Sequence, residues 1–202
     1  MYCQTASIKP SRDNAITTSN CTYGVVLNNC RSDLSGVKSL SDVRSVSVYG
    51  GEARISQVDV TSSRGFGIYA ANMKQLTVKG CRFTQTASWG VYAHGRQLSV
   101  ADSTFDRTKY GLYVRELSQT DAPVLRDLSF IGCLYGLRCD KSPVVVLRDN
   151  RFTFSNCVFG VTLIDCRSLL QGMDLSGSER PLNLYRGRNL KLEGTILKQP
   201  LS

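Results

Sequence analysis

Trp89-Gly90-Val91-Tyr92-Ala93-His94 is followed, 21 residues on, by Tyr110-Gly111-Leu112-Tyr113-Val114-Arg115, and 25 residues further by Tyr135-Gly136-Leu137-Arg138-Cys139-Asp140. The shared element is an aromatic residue, a glycine and an aliphatic residue. It recurs at Tyr23-Gly24-Val25, Phe66-Gly67-Ile68 and Phe159-Gly160-Val161. The double interval between Gly24 and Gly67 holds Ser45-Val46-Ser47-Val48, with serine in the glycine place, and a further unit reads Pro181-Leu182-Asn183-Leu184. The anchors then stand 21 to 25 residues apart.

One position after each anchor lie Val25, Val46, Ile68, Val91, Leu112, Leu137, Val161 and Leu182; three positions after lie Leu27, Val48, Ala70, Ala93, Val114, Cys139, Leu163 and Leu184. All are apolar, and the residues between them are mostly polar or amphipathic. This period of two predicts a strand with one buried face. Leu76-Thr77-Val78, Leu98-Ser99-Val100, Val145-Val146-Leu147 and Leu190-Lys191-Leu192 predict a second short strand, and Phe83, Phe105, Phe130 and Phe152 a third apolar position. A unit of this length cannot bury its own apolar face and must stack on its neighbours. The LxxLxLxxN frame of leucine-rich repeats is absent, as is any period near 3.6.

On these repeats, of the type GIYA…LTVKGCRF…WGVYA, the chain resembles the pectin-lyase-like superfamily. The resemblance implies an all-β, single-stranded right-handed parallel β-helix of about eight coils over residues 20–197, with 1–19 a lead-in or partial cap and 198–202 a tail. Unrelated functions share that fold.

The chain has 202 residues, 42% of them hydrophobic and 20% charged, which predicts order almost throughout. No apolar run is long enough for a membrane span, and no secretion signal is readable at the start, so the compartment is open between cytoplasm and a processed surface or extracellular fragment. Twenty-five basic against 16 acidic residues give +9, which favours polyanionic partners. The charges are scattered and form no nucleic-acid motif, which disfavours nucleic acid.

The eight cysteines lack zinc-like CxxC spacing. Cys21, Cys133 and Cys157 each precede an anchor glycine by three, and Cys139 takes an inward slot, which predicts small buried members of apolar stacks. A disulfide between Cys133 and Cys157 in adjacent coils is the alternative. Asn20-Cys21-Thr22 is a glycosylation sequon, relevant only in a eukaryotic secretory setting. Gly65-Phe66-Gly67 lacks the helix and third glycine of a dinucleotide site and marks a repeat corner; Asp102 and Asp106 are predicted turn formers.

Equivalent positions in successive coils lie about 4.8 Å apart, so the outward residues form a grid. Tyr92 and His94, Tyr113 and Arg115, and Arg138 and Asp140 fall on three neighbouring coils, and Tyr69 extends the first column. Arginines can neutralise a uronate carboxylate while His or Tyr moves the adjacent proton. The resemblance implies a similar use, since polysaccharide lyases and uronan epimerases of the superfamily work on the outer face of the helix. The YGxDPHD motif of mannuronan epimerases is matched around His94 only in its Gly and His, with Tyr92, Ala93 and Gly95 replacing Asp, Pro and Asp. Calcium-dependent pectate lyases need outward carboxylates, of which this grid has only Asp140, so no metal or cofactor is expected. The repeat spacing also leaves no long loops to wall a cleft, the longest excursion running from Glu116 to Pro123.

The expectation is a non-catalytic module that binds an extended acidic polysaccharide through Tyr69, Tyr92, Tyr113, Arg115, Arg138 and Asp140. A lyase or epimerase using His94 with Tyr92 or Tyr113 is the alternative. A third is a structural rod in a larger surface, phage or adhesin assembly, with end-to-end or side-by-side self-association through open strand edges.

Overall fold

The computed structural model describes residues 2–4, 7–8, 16–118, 122–187 and 189–197. Within these, every regular element is a strand, and the strands stack in parallel as a solenoid of about eight turns. Each coil contributes a strand to three faces. Face A holds Tyr23–Asn28, Arg44–Tyr49, the 66–71 part of Phe66–Lys79, the 89–94 part of Trp89–Asp106, Tyr110–Arg115, Tyr135–Asp140, Cys157–Ile164 and Ser178–Tyr185. Face B follows it along the chain, from Arg31–Ser35 to Leu190–Glu193. Face C closes the triangle, with Lys38–Leu40, Asp59–Thr61 and Arg82–Thr84 among its rungs. Tyr2–Gln4 and Ser7–Ile8 also pair in parallel, with Tyr23–Asn28 and Arg31–Ser35, so strand pairing reaches N-terminal to residue 20. Residues 119–121 of the longest excursion and the 198–202 tail lie outside the described residues.

Single left-handed residues make the corner between faces A and B, among them Asn29, Asn72, Glu116, Lys141, Asp165 and Arg186, with φ between 47 and 55°. Such a residue turns the chain sharply without breaking the ladder. The Glu116 and Lys141 amides still bond the next rung, at Asp140 O and Ile164 O, both at 2.8 Å. Asn and Asp tolerate this region best, so Glu, Lys and Arg here are held by the ladder against their own preference. Asp102 is a turn residue of the same kind, φ 51°, and Asp106 ends a strand beside another, Arg107.

The inward column from Val25 to Val161 is fully buried, as is its companion from Leu27 to Leu163. Both expectations fail at the last coil. Leu182 is only half-buried and Leu184 is 42% exposed, because no further coil covers them among the described residues. Two strand assignments also shift. Val144 and Val146 point inward and Leu147 is exposed, and the stacked phenylalanines are Phe83, Phe105, Phe130 and Phe154, at ring spacings of 5.0–5.1 Å. Phe152 pairs instead with Leu128, an inward position that precedes the ladder phenylalanine.

That ladder explains the repeated glycine. A Cβ on Gly90 would lie 2.5 Å from Cδ1 of Phe105, and one on Gly111 would lie 2.6 Å from Cδ1 of Phe130. Serine is tolerated at position 45 because Val60, in register with Phe83, is smaller there, and the Ser45 hydroxyl meets Ser39 Oγ at 2.6 Å.

A buried polar column runs up the corner between faces C and A through Asp42, Thr86, Thr108, Cys133, Cys157 and Ser178. Asp42 is satisfied by the Cys21 amide at 2.7 Å, Ser39 Oγ at 2.7 Å and Thr18 Oγ1 at 2.5 Å. Cys21, Cys81, Cys133, Cys139, Cys157 and Cys166 are free thiols, and of these all but the half-exposed Cys21 are buried, as is Cys30. Thus Cys133 and Cys157 stand on neighbouring rungs as separate thiols, with Thr108 Oγ1 3.3 Å from Cys133 Sγ.

Candidate functional site

Face A carries three outward columns. Its strands place Gly and the next aliphatic residue inward together, as in Gly90 and Val91, and this break in alternation turns the residue before the glycine outward. The anchor aromatics therefore form a surface ladder of Phe66, Trp89, Tyr110, Tyr135 and Phe159, with centroids 4.5–5.4 Å apart and planes within 22°. Tyr69, Tyr92, Tyr113 and Arg138 lie in register in the second column, and His94, Arg115 and Asp140 in the third. The structure thus brings all seven sequence-derived residues onto one face.

Near-parallel rings at these spacings must stack face to face, since rings lying flat side by side could not approach so closely. Their faces are occupied by one another, and edge contacts link them to the second column, as in Phe66–Tyr69 at 84° and Trp89–Tyr92 at 66°. Tyr69 and Tyr92 also stack, 5.1 Å apart at 7°, while Tyr92 and Tyr113 meet edge to face at 77°. Ring edges carry the positive part of the aromatic quadrupole, which favours anionic neighbours.

Guanidinium groups cap the ladders. Arg138 lies over Tyr110, Tyr113 and Tyr135 at 5.2–5.8 Å, and its Nε is buried without a partner among the described residues. Arg44 covers Phe66 and Tyr69 and donates to Tyr49 OH at 2.7 Å, and Arg180 covers Phe159 at 5.3 Å. Among the described residues, none of these three arginines has a carboxylate within ion-pair distance. The first two rungs of face B behave differently, because their outward charges are of opposite sign and pair across the rungs, Arg31–Glu52 at 3.5 Å and Arg54–Asp33 at 3.7 Å.

Sequence reasoning missed the anchor ladder, Arg44, Arg180 and one carboxylate. Glu116, on the corner, stands 3.7 Å from His94 Nε2, 3.7 Å from Arg115 and 3.1 Å from Lys141. The Lys141 ammonium, then Arg115, holds its carboxyl below the ordinary range. Burial pushes the Tyr92 and Tyr113 phenols up, against the smaller opposing pull of Arg115 on Tyr92 and of Arg138 on Tyr113, so both stay protonated at neutral pH. Asp140 accepts only a long contact from Tyr113 OH, at 3.4 Å. The depression beside His94, bordered by Lys74, Arg96 and Glu116, is open to solvent. Among the described residues no group of three or more His, Cys, Asp or Glu could hold a metal ion, and no helix is long and apolar enough to cross a membrane.

Three faces, parallel rungs and an inward apolar stack define a parallel β-helix. The sequence model described as "Right handed beta helix region" matches residues 7–168, and the chain belongs to that family. No curated protein and no solved structure matches it.

Proposed function

We propose that face A binds an extended polyanion, an acidic polysaccharide, by charge and hydrogen bonding. The carrying observation is that Arg44, Arg138 and Arg180 lie over rings without carboxylate partners among the described residues, whereas the charges on the first two rungs of face B pair with one another. A guanidinium held against aromatic rings keeps its position on the face and its charge available to a carboxylate or sulfate. Tyrosine hydroxyls add donors along the rungs. Single-stranded nucleic acid is a poorer fit, because base stacking needs the ring faces that the ladder already uses.

The test is affinity for polygalacturonate, dextran sulfate and neutral dextran. Binding should be confined to the two acidic polymers and weaken with salt. Arg115→Ala with Arg138→Ala should lower acidic-polymer affinity by roughly tenfold or more, the range of charge-assisted contacts. Equal binding of neutral dextran, or no loss in the double variant, overturns the proposal.

The His94–Glu116 contact favours a second reading, a lyase or epimerase, with the carboxylate orienting the imidazole as base and a protonated Tyr92 or Tyr113 as acid. Release of unsaturated or epimerised uronate that disappears in His94→Ala would establish it. Absence of both products from polygalacturonate and alginate would remove it.

A further inference from the structure

We propose a second anion-binding element, resting on the reading of face A as a polyanion surface: a trough at the corner of faces A and B in the last three coils, which grips carboxylate or sulfate groups of the same polysaccharide as it leaves the aromatic ladder. Two adjoining open depressions make the trough. One is bordered by Arg138 and Tyr185 on face A and the other by Lys141 and Arg167 towards face B, and Asp165 and Arg186 border both. Arg167 and Arg186 belong to no outward column that the repeat alignment marks.

The corner geometry sets the charges. Lys141, Asp165 and Arg186 are equivalent left-handed residues, φ 51, 52 and 53°, with the Lys141 and Asp165 amides bonded to the next rung at 2.8 and 2.9 Å. Their side chains leave a backbone fixed by the ladder at intervals of about 4.8 Å. Four cations, Arg138, Lys141, Arg167 and Arg186, and one carboxylate, Asp165, thus border the two depressions. Lys141 is engaged by Glu116 at 3.1 Å. Among the described residues Arg138, Arg167 and Arg186 have no ion-pair partner, and Asp165 pairs with none of these cations.

A linear polyanion suits this arrangement better than a single small anion. Its charged groups can straddle Asp165, meeting Arg138 on one side and the Arg167 and Arg186 pair on the other, while Tyr185, 53% exposed, packs beneath the chain. Asp165 then opposes binding by like-charge repulsion and fixes where the anionic groups can sit. This gives a signed consequence that general basicity does not, since removing one particular carboxylate should tighten the complex.

The experiment measures affinity for polygalacturonate and dextran sulfate at fixed ionic strength. The proteins are the unchanged chain, Arg167→Gln with Arg186→Gln, Asp165→Asn, and Arg115→Ala with Arg138→Ala. All of these side chains are at least partly exposed, and an unchanged circular-dichroism spectrum and melting temperature check the fold. The trough pair should lose roughly tenfold in affinity, the scale of two charge-assisted contacts in a wet site, and Asp165→Asn should gain severalfold. If the trough pair binds as tightly as the unchanged chain while the Arg115 and Arg138 pair loses affinity, the trough is wrong and the face A reading stands. If neither pair loses affinity, or the unchanged chain binds neither polymer, both fail. An Asp165→Asn variant that binds more weakly also overturns the trough.

Discussion

At Gly90 the missing side chain is a packing requirement. The space a Cβ would take is filled by the Phe105 ring of the same coil, 2.5 Å away, and by the carbonyl of Gly111, 2.8 Å away. Gly90→Ala should therefore destabilise the protein by about 1–3 kcal/mol, the usual cost of overpacking. Trimming the obstructing ring in Phe105→Leu should make the same glycine change cheaper, although the Gly111 carbonyl remains and the rescue is partial. A double-mutant cycle by urea denaturation measures the coupling, and purely additive losses would show that the ring is not the obstacle. The sequence displayed the glycine as a spacing mark, and its partner was legible only as an unaligned phenylalanine. Which phenylalanine continued the ladder, Phe154 and not Phe152, depended on an extra inward position at Leu128 that no one-dimensional pattern distinguishes.

Within a face A strand, the second and third columns were readable from alternation after the glycine, so Tyr92, Tyr113 and Arg138, and His94, Arg115 and Asp140, fall in the columns the alignment implied. Strict alternation run backwards would have turned Trp89 inward. The consecutive inward pair Gly90 and Val91 reverses the phase, which is why the anchor aromatics looked like a motif when they are a surface. Glu116 was hidden for a related reason: its left-handed corner lies between two strands, where periodicity carries no information. The inward thiols make an element-scale prediction. Burial raises the Cys81 thiol from its ordinary value near 9 to about 11, and raises Cys139 and Cys166 too. For an acid whose folded value is raised, stability is full below the unfolded value and is lost as pH climbs through the folded one. Urea stability should hold to about pH 8 and fall between pH 9 and 11, by up to about 1.4 kcal/mol per pH unit for each such thiol. Cys81→Ala, compared at pH 8 and pH 10.5, should show a shallower decline; an unchanged slope would exclude that thiol as a source.

On the scale of the molecule, a solenoid coil rests only on its neighbours, and an end coil has one neighbour where a central coil has two. The last face A unit pairs in register with the one before it, Val161 with Leu182 and Leu163 with Leu184, so the sequence repeat and the hydrogen-bond ladder both continue to this point. Burial does not. Leu163 and Leu170 are 1% and 0% exposed, whereas Leu184 and Leu192 one rung on are 42% and 40% exposed. The family match also ends before this coil, at residue 168. The same leucine pattern therefore contributes unequal stability at different heights, a property of the stack that a single repeat cannot reveal. Native-state hydrogen exchange should rank the rungs accordingly, with Tyr110–Arg115 and Tyr135–Asp140 opening only near the global unfolding free energy and Ser178–Tyr185 and Leu190–Glu193 opening locally at lower cost. Substitution should follow the same order. Leu112→Asp or Leu137→Asp buries an unpaired charge between two coils and should abolish folding, because its cost rivals a typical net stability of about 5–15 kcal/mol. Leu184→Asp keeps its carboxylate hydrated and should leave a folded protein that loses protection mainly in the last coil. Equal protection at every rung, or loss of the whole fold with Leu184→Asp, would mean that the end coil is held by contacts other than its one neighbour.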